Sequence, residues 1–387
     1  MRTTGIVCEF NPFHNGHARL FSEARARGAE RIVCCCSGNA VQRGELAVAD
    51  SYTRAEIAVR CGADLVLSLP YPWSSASAEG FADAAVAVLS DYVDTILFGS
   101  ECGDIERLTG AAACAEQEDF QKAILERDEA GEGAAAAYFA ELADRGFGTF
   151  SSNDLLGIEY IRAARRQGLS IAFDTVMREG AAYRQLTLSE EEYPSASALR
   201  PYLLANELSR LSPHMPKDAL DVLQRAAEKG ELTDPARIEQ AMHAFFCLHD
   251  PDDFVGVAEA GGGLSERICS VAKENTSFEK MFSALRTKRY TDGRLRRAML
   301  FCMTGVKASL LRQLPSYTTL LGTNEKGREL LSSTRKTRKI LLVTKQADAP
   351  RATEQFRVGQ KLDTLFAMAQ TNPTTRGELL KRSAYLG

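Results

Sequence analysis

The sequence predicts an α/β protein, with a parallel sheet in its first half and a mainly helical second half. Short apolar runs such as Ile6-Val7-Cys8, Ile32 to Cys36 and Leu65 to Leu69 are too brief for helices and do not alternate, as expected of strands covered on both faces. Helix-like stretches separate these runs at the spacing of βαβ units. The alternation stops near residue 212, and 387 residues are enough for two or three domains.

The first strand is broken at Asn11-Pro12, because proline cannot donate to a ladder and pushes the preceding residue out of helical geometry. The turn then delivers His14-Asn15-Gly16-His17 to a helix predicted over 17–28. A glycine between two imidazoles lets a flat base or a phosphate approach the backbone, and the free N–H groups of the helix start favour an anion. Two histidines three apart can also be plain capping or packing residues. Their position favours the phosphate role: the chain has five histidines, and two fall at the carboxyl end of a strand, where open α/β sheets place ligands. A zinc site would need a third ligand, and no Cys or acidic residue stands nearby at familiar spacing.

A second strand over 31–36 ends in Ser37-Gly38-Asn39, and the loop through Ala40 to Glu45 belongs at the same sheet edge. There Gln42 and Arg43 can meet a carboxylate or phosphate, or simply face solvent. A helix near 52–61 leads to a strand over 64–69 stopped by Pro70, then a helix over 75–90 and a strand over 94–98 ending in Gly99-Ser100-Glu101. Gly99 marks a place where backbone can approach a nucleotide. Residues 104–145 read as a helical cover over the sheet. Ser151 or Asn153 can cap the helix that runs through Arg166, and capping alone would account for Asn153. A fifth strand runs from 171 toward Met177 and Arg178, and the polar stretch 179–194 is a loop. The helix start Ser195-Ala196-Ser197-Ala198-Leu199-Arg200 gathers hydroxyls, amide donors and an arginine suited to phosphates, or to an ordinary N-cap.

The net charge of −4 conceals an asymmetry: residues 1–200 carry 18 Lys/Arg against 30 Asp/Glu, and residues 201–387 carry 29 against 21. A basic second half suits a polyanion such as RNA. Within 286–312 eight Lys/Arg face one Asp, with Lys288, Arg289, Arg294, Arg296 and Arg297 around Tyr290 as candidate phosphate contacts, unless they form a solvated helix face. The ten cysteines include the run Cys34-Cys35-Cys36 and no C-x-x-C pair, so they read as small core residues, Cys8 among them. No apolar run approaches the roughly 20 residues of a membrane span, and the N-terminus enters the first strand without a signal-peptide pattern. A cytoplasmic protein is expected.

Taken together, GIVCEFNPFHNGH, SGNAVQRGE, GADLVLSLP, FGSECGD, SNDLLGIEY, PSASALR and KRYTDGRLRR, with Leu320-Leu321-Gly322, resemble in order and spacing the bacterial tRNA(Met) cytidine acetate ligase family. That family is related to the wider H-x-G-H nucleotidylyltransferases. The resemblance implies a Rossmann-like nucleotidyltransferase domain over 1–212 and a mainly helical, basic tRNA-binding region over 213–387. It implies that acetate is activated by ATP with Mg²⁺ as acetyl-adenylate and transferred to N4 of the wobble cytidine of elongator tRNA(Met). It assigns ATP contacts to Val7, Cys8, Glu9, Phe10, Asn11, Pro12, Phe13, His14, Asn15, Gly16, His17, Ala18, Arg19, Leu20, Gly99, Asn153 and Arg178. It also assigns a second phosphate signature to Ser195, Ser197 and Arg200, with His14, His17 and Arg200 catalytic. The sequence departs from the family pattern at Ala40 (an aromatic expected), Ser51 (Lys expected) and Ser68 (Glu expected). These departures bear on the acceptor, and two other readings accompany them: a nucleotidylyltransferase for a small phosphorylated metabolite, or a non-catalytic nucleotide-sensing RNA-binding protein.

Overall fold

The computed structural model describes residues 2–178, 194–287 and 290–387. The apolar runs form five parallel strands, β1 (Thr3–Cys8), β2 (Arg31–Ser37), β3 (Leu65–Leu69), β4 (Thr95–Ser100) and β5 (Ala172–Met177). Between them lie α1 (Asn15–Ala26), α2 (Ser51–Arg60) and α3 (Ala78–Leu89). The stretch between β4 and β5 supplies α4 (Ile105–Ala115), α5 (Glu118–Glu129), α6 (Ala134–Leu142) and α7 (Ser152–Arg166). The strands stand in the order β5-β4-β1-β2-β3. The chain therefore winds outward from β1 to β3, then crosses back to lay β4 on the other side of β1. Connections leave the carboxyl ends of β1 and β4 in opposite directions, which opens a crevice between them.

Both faces of this sheet are buried, as the unbroken apolar runs require. Ile32, Cys34, Cys36 and Val66 join Phe21 of α1 and Ile57 of α2 in one core, whereas Val33, Cys35, Leu65 and Leu67 join Val86 of α3 and Ile161 of α7 in the other. Adjacent cysteines thus occupy different cores, and all ten are free thiols. The long helix α7 lies against β4 through Gly157, where a Cβ would stand 2.3 Å from the Phe98 ring.

After β5 the chain continues through α8 (Ala196–Leu204), α9 (Leu208–Leu211), α10 (Lys217–Glu228), α11 (Pro235–Leu248), α12 (Leu264–Glu274), α13 (Phe278–Leu285), α14 (Asp292–Thr304) and α15 (Ala308–Leu311). Met242, Phe246, Phe282, Leu300 and Phe301 anchor a third core among these helices. The chain then returns to the sheet. β6 (Tyr317–Thr323) pairs antiparallel with β3, while β7 (Leu341–Val343) and β8 (Tyr385–Leu386) pair parallel with β6. Between these strands run α16 (Glu325–Ser333), α17 (Glu354–Ala369) and α18 (Arg376–Leu379).

Past residue 212, where the sequence suggests a boundary, the chain goes on contributing to the sheet and to a core of the first half. Val222 and Leu223 of α10 share the core of Ile57, and β6 covers what would otherwise be the open edge of β3. A fully buried strand left at an edge exposes unpaired backbone, so a partner is needed there. The partner comes from more than 240 residues away, a pairing that local periodicity cannot announce.

The loop between β2 and α2 is fastened to the helical region at Gly44, whose φ is +75°. A Cβ there would stand 2.4 Å from the Arg297 backbone nitrogen and 2.6 Å from the Arg296 carbonyl carbon. Gly44→Ala combines a left-handed backbone with a clash against immovable backbone. It is expected to lower unfolding stability by about 2–4 kcal/mol, measured as the shift in urea midpoint at constant slope.

Candidate active site

β1 ends in a tight turn: Phe10 adopts a left-handed φ of +49°, uncommon for a bulky residue, and the Asn11–Pro12 bond is cis. His14 then caps α1. Its Nδ1 accepts from the Gly16 N–H at 3.0 Å, and the His17 Nδ1 accepts from the His14 N–H at 3.2 Å. An imidazole nitrogen that accepts carries no proton, so in the neutral form each ring holds its hydrogen on Nε2 and can donate it. Burial, then repulsion from Arg178, pushes His14 down to about 3. Burial, then His14 and Arg178, hold His17 well below its ordinary value. Two neutral imidazoles with centroids 3.9 Å apart therefore stand at the helix start, braced by Phe10 and Phe13.

Capping and ligand binding are thus compatible here, since capping uses Nδ1 and leaves Nε2. The glycine has a different reason from the one its position suggested. A Cβ on Gly16 would stand 2.8 Å from His14 Cε1, so the ring of His14 itself requires the glycine. The buried Nδ2 of Asn11 has no hydrogen-bond partner among the described residues. It is a donor held out of water at the mouth of the turn, as a nucleotide site would need.

Across the crevice, Arg178 follows β5 and its Cγ would lie 3.1 Å from a Cβ on Gly99, so the glycine lets the arginine fold over the end of β4. Asn153 does not cap α7; Ser151 does, in a capping box with Asp154. The Asn153 amide instead donates to Glu101 at 2.5 Å, and Arg178 Nε lies 3.8 Å from the same carboxylate oxygen. Asp154 accepts from the backbone N–H groups of Glu101 and Cys102 at 2.9 and 3.1 Å, which sets the strand-end loop.

Ser195 caps α8, and Arg200 reaches from that helix to the Asn11 carbonyl at 3.2 Å, the Glu45 carboxylate at 3.3 Å and the Ser197 hydroxyl at 3.4 Å. The structure therefore brings His14, His17 and Arg200 to one turn, with Gly99 and Arg178 at the facing strand ends and Asn153 at the start of α7. Gln42 engages this turn through its backbone N–H, which donates to Glu9 at 2.8 Å. Burial pushes the Glu9 carboxyl up, against the pull of that hydrogen bond and of Arg43, Arg54 and Arg200.

Sequence reasoning missed Arg54. It is fully buried and donates to the carbonyls of Ala49 at 3.0 Å, Glu9 at 2.5 Å and Ser37 at 2.9 Å, and to that of Gly38. The available signal was an arginine on the helix face that carries Ile57 and Ala58, among the buried residues of α2. It ties the ends of β1 and β2 and places a cation beneath the turn.

The basic stretch is arranged less openly than its composition suggests. Arg294 lies over the Tyr290 ring at 5.1 Å, and Arg296 pairs with Glu239 at 3.3 Å and lies over Phe282 at 4.5 Å. Arg297 is 12% exposed and bound to Glu259 at 2.9 Å, so its guanidinium is not presented to a phosphate. Lys288 and Arg289 lie outside the described residues. Ala40 is buried, and Ser51 and Ser68 line a small cavity of about 90 Å³ with Asn39 and Asp363. Burial pushes the Asp363 carboxyl up to about 6, opposed by the Asn39 amide donating to it at 2.8 Å.

The state of the histidines has a measurable consequence. An unfolded histidine titrates near 6.5, whereas His14 in the fold takes its proton only near 3. The unfolded chain binds that proton first, so stability present above pH 6.5 is lost progressively as the pH falls toward 3. His14→Asn retains a capping side chain and removes the titration. The wild type is expected to lose more stability than this variant between pH 7 and pH 5, read from urea midpoints.

The family model described as HIGH Nucleotidyl Transferase matches residues 1–379. A tRNA(Met) cytidine acetate ligase of Caldanaerobacter subterraneus subsp. tengcongensis is 32% identical over 380 residues, covering 93% of each chain. One of Thermotoga maritima is 34% identical over 358 residues, covering 87% of this chain and 85% of its own. The crystal structure of Thermotoga maritima TmcAL bound with alpha-thio ATP is similar with a TM-score of 0.88 at 29% identity, and its apo form with 0.91 at 30%; each comparison covers 100% of this chain and 99% of the other. No helix among the described residues is long and apolar enough to cross a membrane. With the doubly wound sheet, the HNGH turn at its crevice and these full-length likenesses, the chain belongs to the HIGH nucleotidyl transferase family, among the tRNA(Met) cytidine acetate ligases.

Proposed function

We propose that this protein uses ATP to activate acetate and transfers the acetyl group to N4 of the wobble cytidine of elongator tRNA(Met). The observation that carries this reading is the pair of imidazoles at the start of α1, whose Nδ1 atoms are taken up by the helix cap so that Nε2 is left to donate, at the strand-end crevice where Arg178 folds over Gly99. Family membership supplies the named reaction, and the ligand in the neighbouring crystal structure is an ATP analogue.

In the first step an acetate oxygen attacks the α-phosphorus, the bond to the β-phosphate oxygen breaks, and pyrophosphate leaves. Acetate is already ionised at pH 7, so no general base is needed. The requirement is electrostatic: negative charge grows on the α-phosphate and the leaving group, where Nε2–H donors of His14 and His17 and the guanidinium of Arg200 stabilise it. Neutral imidazoles serve as donors without a proton that must first be acquired. Val7 to Leu20, Gly99, Asn153 and Arg178 surround the nucleotide, with Ser195 and Ser197 toward its phosphates. Among the described residues no group of three or more His, Cys, Asp or Glu side chains could hold a metal. Mg²⁺ carried on the nucleotide phosphates would supply charge neutralisation there.

In the second half of the reaction the tRNA is held by the basic region over 213–387. The exposed run Arg335, Lys336 and Lys339 adds to Arg294 as phosphate contacts. Arg296 and Arg297 are engaged inside the protein as drawn above, and take part only if those pairs open. The enzyme works in the cytoplasm, where ATP and tRNA are present.

His17→Ala is expected to lower acetate-dependent ATP–pyrophosphate exchange by about two to three orders of magnitude, the typical effect of removing one preorganised donor. Exchange near the wild-type rate would refute the assignment. Incubation with ATP, labelled acetate and total tRNA should place label in N4-acetylcytidine, identified by mass spectrometry. Exchange that requires a phosphorylated metabolite instead of acetate would point to the other nucleotidylyltransferase reading, and nucleotide binding without pyrophosphate release to the non-catalytic one. Reversing charge at Lys336 and Lys339 should weaken tRNA binding and lower its dependence on log salt by about one per lost contact.

A further inference from the structure

Three stretches distant in sequence meet at one side chain. Glu45 closes the loop after β2, and its carboxylate lies 3.3 Å from Arg200 of α8 and 3.7 Å from Arg296 of α14, which continues to Glu239 of α11 at 3.3 Å. These four alternating charges border one cavity of about 400 Å³, whose other walls include Leu46, Ile238 and Met242. That volume suits a nucleoside-sized ligand, and apolar faces with a few polar groups at the rim suit a flat heterocycle. The rim carries both signs. A carboxylate accepts from the N4 amine of cytosine and a guanidinium donates to its ring nitrogen and carbonyl, whereas uracil would turn oxygen lone pairs toward the carboxylate. The cavity is also a neighbour of the nucleotide turn, because Arg200, on its wall, reaches the Asn11 carbonyl at 3.2 Å.

We propose that this cavity receives the acceptor cytosine, swung out of its RNA stack, with Glu45 holding the N4 amine toward the acetyl-adenylate. The proposal rests on the reading given under Proposed function and adds to it the place and the base. N4 bonds to the acetyl carbonyl carbon, the N4 proton passes to the Glu45 carboxylate, and the bond from that carbon to the adenylate oxygen breaks, so that AMP leaves with the electron pair. A carboxylate has about four lone-pair sites, so Glu45 can keep its arginine partners while it accepts from the amine. Glu239 and Arg296 then fix the remaining edge of the base.

The test compares acetyl transfer to tRNA with acetate-dependent ATP–pyrophosphate exchange. Ile238→Trp fills the cavity and is expected to slow transfer about 100-fold or more while exchange stays within about threefold of wild type. Glu239→Gln keeps the shape, serves if the tryptophan variant does not fold, and should lower transfer about tenfold with exchange unchanged. Glu45→Gln should slow single-turnover transfer by about 10²-fold or more. Transfer at the wild-type rate in both Ile238→Trp and Glu239→Gln overturns the proposal. So does an equal loss of exchange and transfer in both, since the cavity would then serve ATP or acetate. A wild type that exchanges pyrophosphate but modifies no tRNA cytidine overturns the functional reading and the acceptor site with it, and is recognised before any substitution is made.

Discussion

A guanidinium sealed from water holds together the strand ends on which the site is built. Arg54 donates to carbonyls at the end of β1, at the end of β2 and in the loops that follow them. A buried cation is tolerable only when its donors are matched, and here backbone oxygens match them. The arrangement costs desolvation, but it makes the first two loops a single unit. It also adds fixed positive charge under a turn that receives an anion. Glu9, whose carbonyl Arg54 holds and whose carboxylate receives the Gln42 N–H, joins the second loop to that unit.

On this base the crevice is assembled from opposite sides. The HNGH turn comes from β1, while Gly99, Asn153 and Arg178 come from β4, α7 and β5, beyond the reversal of strand order. Arg200 arrives on α8 and fastens to the Asn11 carbonyl. Each contact is ordinary; their common placement follows from winding the sheet outward from β1 in both directions. The helical region is docked on the same loop, with Gly44 against the backbone of α14 and Glu45 between two arginines. The HNGH turn and the cavity beside it therefore share one loop, so a displacement of that loop is felt by both.

Much of this was legible in the chain. The strands over 3–8, 31–37, 65–69 and 95–100 follow from apolar runs with Gly, Pro or Asn at or just past their ends, and the helix start at Ser195 follows from its capping residue. β6 was not legible as a strand, because its partner β3 is far away in sequence and it is buried between β3, β7, β8 and α2, none of them local to it except through the fold. Of the two capping candidates at the start of α7, Ser151 takes the position, and Asn153 is left to face Glu101. The basic stretch 286–312 promised an open face, yet Arg296 and Arg297 turn inward to glutamates 57 and 38 residues away.

The sequence alone determined which segments could be strands and helices, and it determined the chemistry at the turn. Periodicity, proline and glycine act within a few residues, and the order of motifs carries the family. Tertiary structure decided the strand order, and with it the crevice. It also decided the neutral state of the two imidazoles and the gathering of Glu45, Arg200 and Arg296 around one cavity. Those features depend on desolvation and on contacts between residues remote in the chain, and neither is encoded in any local window. The HNGH stretch could be read as a place for phosphate; only the fold gives it two Nε2 donors and a cavity bordered by Glu45 and Arg200 beside it.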